Sequence, residues 1–126
     1  MDRSKKMTET ESEIMEVLWA SEAPMSAAEL IDYFAQHHGK AWKASTLATF
    51  LSRLNQKGLV DSVRRGRVPY YHPIQTKTAY MQSMAQEVLD TMYQGSVTKF
   101  FAALCGDTPL SAKERKELKA WLDKEM

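Results

Sequence analysis

The chain has 126 residues, enough for one compact domain or a small domain with an oligomerisation arm, and its 44% hydrophobic and 26% charged residues are ordinary for a globular protein. The net charge of +1 conceals an uneven spread: residues 40–72 carry seven basic side chains against the single acid Asp61, whereas residues 1–39 carry eight acids against three bases. No apolar run nears the roughly 18 residues of a membrane span, and a lone cysteine, Cys105, excludes an intramolecular disulfide and a cysteine-rich zinc site.

Three helices open the chain. Thr8 with Glu11 has capping-box spacing, and the helix it starts runs to about Ala20 with Ile14, Val17 and Leu18 on one face. Ala23-Pro24 breaks it. Ser26 with Glu29 repeats the box and starts a second helix with Leu30, Ile31 and Phe34 inward, stopped near Gly39. The third, about Lys43 to Lys57, places Leu47, Phe50, Leu51 and Leu54 on one stripe and closes at Gly58.

The period then changes. Leu59–Arg64 and Val68–His72 are β-branched and aromatic runs, with Arg65-Gly66-Arg67 as the tip of a hairpin. Pro69 cannot donate to a ladder, so the second strand is expected at an edge or with that position turned outward. A short strand near Pro24-Met25 is a candidate to pair with the hairpin.

Beyond Pro73 the pattern is helical again. From about Thr76 to Gln94 the residues Tyr80, Met84, Val88 and Met92 recur along one face; Gly95 interrupts, and Val97, Phe100, Phe101 and Leu104 follow. Gly106-Asp107-Thr108-Pro109 reads as a loop. Ser111 with Glu114 makes a third capping box, before a helix presenting Leu118, Trp121 and Leu122. These helices are too short and too apolar to form a core alone, which predicts packing against a second copy.

The fold expected is mainly α with a small β-hairpin wing: a winged helix-turn-helix DNA-binding domain over residues 1–73 and a helical dimerisation region over 74–126. The third helix turns Lys43, Ser45, Thr46, Ala48, Thr49, Ser52 and Arg53 away from its apolar stripe. Short hydroxyls and methyls suit base edges in a major groove, and no acid occurs between Lys40 and Lys57. A merely solvated face would favour Glu and Lys, the better helix formers. Arg64, Arg65 and Arg67 surround the wing tip, where they can grip phosphates or enter a minor groove. Tyr70 and Tyr71 alternate faces, so one belongs to the core and the other to the DNA side; Tyr71 is counted with the DNA set.

The capped segment Thr8, Glu11 through Leu18-Trp19, the run Thr46-Leu47-Ala48-Thr49-Phe50-Leu51-Ser52-Arg53-Leu54-Asn55-Gln56-Lys57-Gly58, Gly66-Arg67 with Tyr70-Tyr71, and Tyr93-Gln94-Gly95-Ser96 together resemble the penicillinase repressor family. The resemblance implies a homodimeric repressor on a palindromic operator, with C-terminal helices that interlock. It implies base reading by Lys43, Ser45, Thr46, Ala48 and Thr49, phosphate contacts by Arg53 and the wing, and dimerisation through Tyr80, Met84, Val88, Phe100, Phe101, Leu104, Leu118, Trp121 and Leu122. It also implies release by a signal, antibiotic-related in some members, with an upstream sensor or protease as partner.

Two inducer devices of such families are not matched here. Ala103-Leu104 stands where β-lactam-responsive members carry a cleavable Asn-Phe bond, and the cysteine cluster of copper-responsive members is reduced to Cys105. No cofactor, metal or enzymatic activity is expected: His37 and His38 are neighbours pointing about 100° apart on a helix, and no nucleophile-base arrangement or phosphate-cradling loop occurs. The opening Met1-Asp2-Arg3-Ser4-Lys5-Lys6 shows no signal-peptide apolar region, so a cytoplasmic protein without a membrane partner is expected. Alternatives remain open: a winged-helix ligand or redox sensor of another family, or a winged helix used for protein–protein contact.

Overall fold

The computed structural model describes residues 6–106 and 110–125. The opening stretch through Lys5 and residues 107–109 of the expected loop lie outside the described residues.

Helix α1, Glu9–Ala20, begins where the sequence places it. Thr8 N–H donates to Glu11 Oε1 at 2.9 Å and Glu11 N–H to Thr8 Oγ1 at 3.2 Å, so each side chain satisfies a free amide of the first turn. Ser26 and Glu29 repeat the arrangement at 2.9 and 3.2 Å and start α2, Ala27–His37. Helix α3, Ala44–Gln56, ends in a Schellman motif: Gly58 adopts φ 76°, and Leu59 N–H donates to Leu54 O at 3.0 Å. Both leucines are buried, which ties the exit of α3 to the core.

Three antiparallel strands follow the order β1-β3-β2, with β1 at Met25–Ser26, β2 at Val60–Arg65 and β3 at Val68–Pro73. The candidate strand beside Pro24 therefore exists. β3 is central, not an edge. Pro69 is tolerated there because β1 faces only Tyr70 and Tyr71, leaving no strand on that side of the proline. At the hairpin tip Gly66 has φ 67° while Arg67 does not enter the left-handed region, the pattern of a type II′ turn.

One core unites these elements. Ile14, Met15 and Leu18 of α1 meet Leu30 and Phe34 of α2, then Leu47, Leu51 and Leu54 of α3, and Leu59 and Val60 at the sheet entry. Helix order, short sheet and basic-tipped hairpin make this a winged helix-turn-helix.

Tyr80, on α4 (Lys77–Met92), corrects the expectation for the arm. It is 6% exposed and belongs to this same core, its ring 5.5 Å from that of Trp19. Trp19 Nε1 also donates to Gln75 O at 3.0 Å, which fixes the segment entering α4. Met84 packs against the core too. Tyr80 is thus committed to this core and Met84 is half-buried against it, and the chain divides into two compact units between Met84 and Ala85.

The second unit contains the end of α4, α5 (Val97–Cys105) and α6 (Ala112–Glu125). Gln94 and Gly95 take φ 49° and 77° to turn the chain between α4 and α5. Ser96 Oγ accepts from Lys99 N–H at 3.1 Å, and Ser111 with Glu114 forms the third capping box. No described residue of α5 or α6 is buried. Phe100 touches Tyr93 and Phe101, at 5.5 and 5.6 Å between centroids. Leu104 and Trp121 are 61% and 56% exposed, and Cys105 is half-buried.

Candidate nucleic-acid interface

Helix α3 has two chemically distinct faces. Leu47, Leu51 and Leu54 are buried, and Phe50 is half-buried beside Trp42 at 5.5 Å. Lys43, Ser45, Thr46, Ala48, Thr49, Ser52 and Arg53 are all exposed. Lys43 is the N-cap residue and makes no side-chain cap bond, and the first turn holds no acid. The amides at this end thus add positive potential to that of the lysine. Thr49 Oγ1 donates to Ser45 O at 3.1 Å, leaving its methyl and its acceptor lone pairs for an outside partner.

Strand alternation separates the wing arginines. Arg64 shares a sheet face with Val60, Ser62 and Tyr71, the face that leads down to the core. Arg65 lies on the opposite face with Val63, Val68 and Tyr70, its guanidinium 4.8 Å from the Tyr70 ring centroid. Arg67 stands in the turn. All three arginines are exposed. Tyr71, counted with the DNA set, is the tyrosine that packs against the core, because it follows the parity of Val60. It also lines a groove of about 380 Å³ between α3 and β2, with Ala48, Ser52, Asn55, Asp61 and Ser62. Tyr70, which alternation alone left unassigned, is the one that holds an arginine.

Two further residues organise this surface without having stood out in the sequence. Asn55 Nδ2 donates to Val60 O at 2.9 Å, fixing the end of the exposed face of α3 to the first residue of the wing. Lys57 is not part of the exposed cationic set: its ammonium donates to Glu11 Oε1 at 2.6 Å and to Lys6 O at 2.8 Å. Lys40 likewise lies 3.2 Å from Glu13 Oε2. Lys43, Arg53, Arg64, Arg65 and Arg67 make no ion pair among the described residues, so these five carry the uncompensated charge of the central segment. An Asn side chain linking α3 to β2 follows only from contact geometry, which no periodicity encodes.

Burial raises the Glu11 carboxyl, but bonds from Lys57 and from the Thr8 amide outweigh it and hold the group below its ordinary value. Among the described residues no cluster of three or more His, Cys, Asp and Glu is arranged to hold a metal ion. No helix there is long and apolar enough to cross a membrane.

A family model described as "Penicillinase repressor" matches residues 7–124. The chain is similar to the penicillinase repressor of Bacillus licheniformis, 25% identical over 118 residues that cover 94% of this chain and 90% of the relative. It is 21% identical to the methicillin resistance regulatory protein MecI of Staphylococcus aureus (strain N315) over 123 residues, 98% of each chain. A solution structure of the DNA-binding domain of the repressor BlaI superposes with a TM-score of 0.52 and 28% identity, covering 64% of this chain and 94% of that one.

Proposed function

The chain belongs to the penicillinase repressor family, and we propose that it works as a homodimeric, sequence-specific repressor that occupies a palindromic operator and excludes polymerase from the promoter. It is a DNA-binding transcriptional repressor by family and by fold; the dimer, the operator symmetry and the assignment of each contact are our reading. The observation that carries it is the exposed face of α3, which is short, polar and free of acid beside an arginine-bearing wing.

In this reading α3 enters the major groove. Lys43, Ser45, Thr46, Ala48 and Thr49 meet base edges, while Arg53, Arg64 and Arg67 neutralise phosphates. Tyr70 positions Arg65 at the wing flank. The second unit supplies the dimer through Val88, Phe100, Phe101, Leu104, Leu118, Trp121 and Leu122. The support is that α5 and α6 bury nothing among the described residues, although Leu104, Trp121 and Leu122 are large and apolar. The two recognition helices then stand about 34 Å apart, or a multiple of it. A protein that acts on promoter DNA by binding, without catalysis, belongs in the cytoplasm. A signal releases it, through a route other than cleavage of an Asn-Phe bond, since Ala103-Leu104 occupies that place.

Selection from a random duplex library, followed by salt titration of the complex, tests the proposal. A palindromic consensus bound by two chains is the expected result. Failure to enrich any sequence, with binding that vanishes at physiological salt, would leave only non-specific attraction to the backbone.

A further inference from the structure

A cleft of about 600 Å³ lies between α1 and α2, away from the exposed face of α3. That volume is in the range of small-molecule sites. Val17 and Ala20 of α1, Met25 of β1 and Tyr33 of α2 give it an apolar wall, and Glu13 and His38 stand in it as polar groups. Glu16 also lines it, but its two carboxylate oxygens are engaged by Lys77 at 2.9 and 3.0 Å. Glu13 is different. Its Oε2 is shielded from solvent and accepts no hydrogen bond among the described residues, with the Lys40 ammonium at 3.2 Å and His38 Nδ1 at 3.6 Å.

Lys40 connects this carboxylate to α3. Its ammonium is 5.5 Å from the Trp42 ring centroid. Trp42 stacks on Phe34 at 4.6 Å and on Phe50 of α3 at 5.5 Å, and the next residue, Lys43, is the N-cap of α3. The Lys40 and Glu13 side chains are 33% and 26% exposed, so solvent reaches the pair, and a competing cation that takes the place of Lys40 keeps the carboxylate charge-paired.

We propose that this cleft binds an apolar primary amine, whose ammonium replaces Lys40 on Glu13 and whose hydrocarbon body covers Val17, Ala20, Met25 and Tyr33. An anion would meet two carboxylates, and a neutral apolar molecule brings no charge that could replace Lys40 on Glu13 Oε2. Releasing Lys40 alters the packing of Trp42 at the entry to α3, so the amine-bound form holds DNA less tightly. This last step rests on the repressor reading above; the binding site itself does not.

The test titrates the full chain with 4-phenylbutylamine, 4-phenylbutanol and 4-phenylbutyrate, followed by backbone amide NMR. The amine is expected to shift resonances of Val17, Ala20, Met25 and Tyr33, and to bind at least fivefold more tightly than the alcohol or the carboxylate. Glu13→Gln should weaken the amine by at least fivefold, and Ala20→Phe, which fills the cleft, should block it while the spectrum remains that of a folded protein. Equal binding of amine and alcohol, unchanged binding by Glu13→Gln, or shifts scattered outside the cleft would overturn the site. With the cleft saturated, DNA affinity should fall about fivefold, and DNA should weaken the amine by the same factor; unchanged DNA affinity would overturn the coupling. A chain that binds no DNA even without the amine would refute the repressor reading, and the NMR result would still decide the site.

Discussion

The ammonium of Lys57, at the C-terminal cap of α3, donates to Oε1 of Glu11 in the first turn of α1 at 2.6 Å. The same oxygen accepts the Thr8 amide, so one carboxylate oxygen holds both the entry of α1 and the exit of α3. Glu11 is 1% exposed, and the Thr-to-Glu spacing that marks a helix start in the sequence thus also orients the helix proposed to read DNA.

Lys57→Met should destabilise the protein by about 3 kcal/mol, because it leaves a carboxylate buried without its cation. Urea unfolding measures this. The salt dependence of DNA binding should stay that of the wild type, since the ammonium is already neutralised internally. A slope reduced by about 0.9 would mean that Lys57 neutralises a phosphate instead.

The same pair sets an acid limit. Glu11 is held below its ordinary value in the folded chain, so its contribution to stability is complete above the unfolded value of about 4.3 and is lost as pH falls through the lower folded value. Glu114, held down by Ser111 at the start of α6, titrates in the same direction but on the surface. The stability gap between the wild type and Glu11→Gln should therefore be largest near neutrality and shrink below about pH 4. Chemical unfolding from pH 7 to pH 3 checks it; a gap independent of pH would show that the Glu11 charge contributes nothing.

The wing should respond residue by residue. Arg64→Ala and Arg67→Ala should each weaken binding alike on all sequences and lower the salt slope by about 0.9. Tyr70→Leu keeps every charge but frees Arg65 from its ring, so it should reduce affinity by no more than about fivefold, in line with roughly 0.5–1 kcal/mol for an exposed cation–π contact. Fluorescence titration at several salt concentrations separates these outcomes. An unchanged slope in both alanine variants would remove the wing from the phosphate contacts.

On α3 the two threonines should behave differently. The Thr49 hydroxyl already donates to Ser45 O, so Thr49→Val, which keeps the methyl, should preserve the operator preference. Thr46→Val should change it at one base pair by about 1–3 kcal/mol. Repeating the library selection with both variants decides the matter, and equal losses on every sequence would count against base reading by Thr46.

Much of this was legible because helix starts, stops and periods are local. Thr8 with Glu11, Ser26 with Glu29, Gly58 and Gly66 each act within a few residues, and each appears where its spacing puts it. What was not legible depends on which element meets which. An apolar residue repeating every fourth position on α4 has the same pattern whether it faces its own domain or a second copy, and Tyr80 belongs to the former. Strand parity likewise shows that Tyr70 and Tyr71 diverge, but only the buried Val60 on the paired strand reveals which side is inside. Asn55 and Lys57 stand in the run that resembles the family, but no spacing names their partners Val60 and Glu11, which are brought to them by folding.

The placement of Tyr80 gives the sharpest test of how the chain is divided. Its ring packs on Trp19 within the first unit, so Tyr80→Ala should cost about 3–5 kcal/mol of that unit's stability, as truncating a buried aromatic does, without a direct effect on association. Trp121→Asp and Leu104→Asp alter exposed positions, so the winged-helix unit should keep its stability while the dimer is lost. Sedimentation equilibrium together with urea unfolding separates the two behaviours. A Tyr80→Ala chain that dissociates at full stability would return Tyr80 to the dimer face. A dimeric Trp121→Asp, Leu104→Asp double variant would show that these exposed side chains do not hold two copies together.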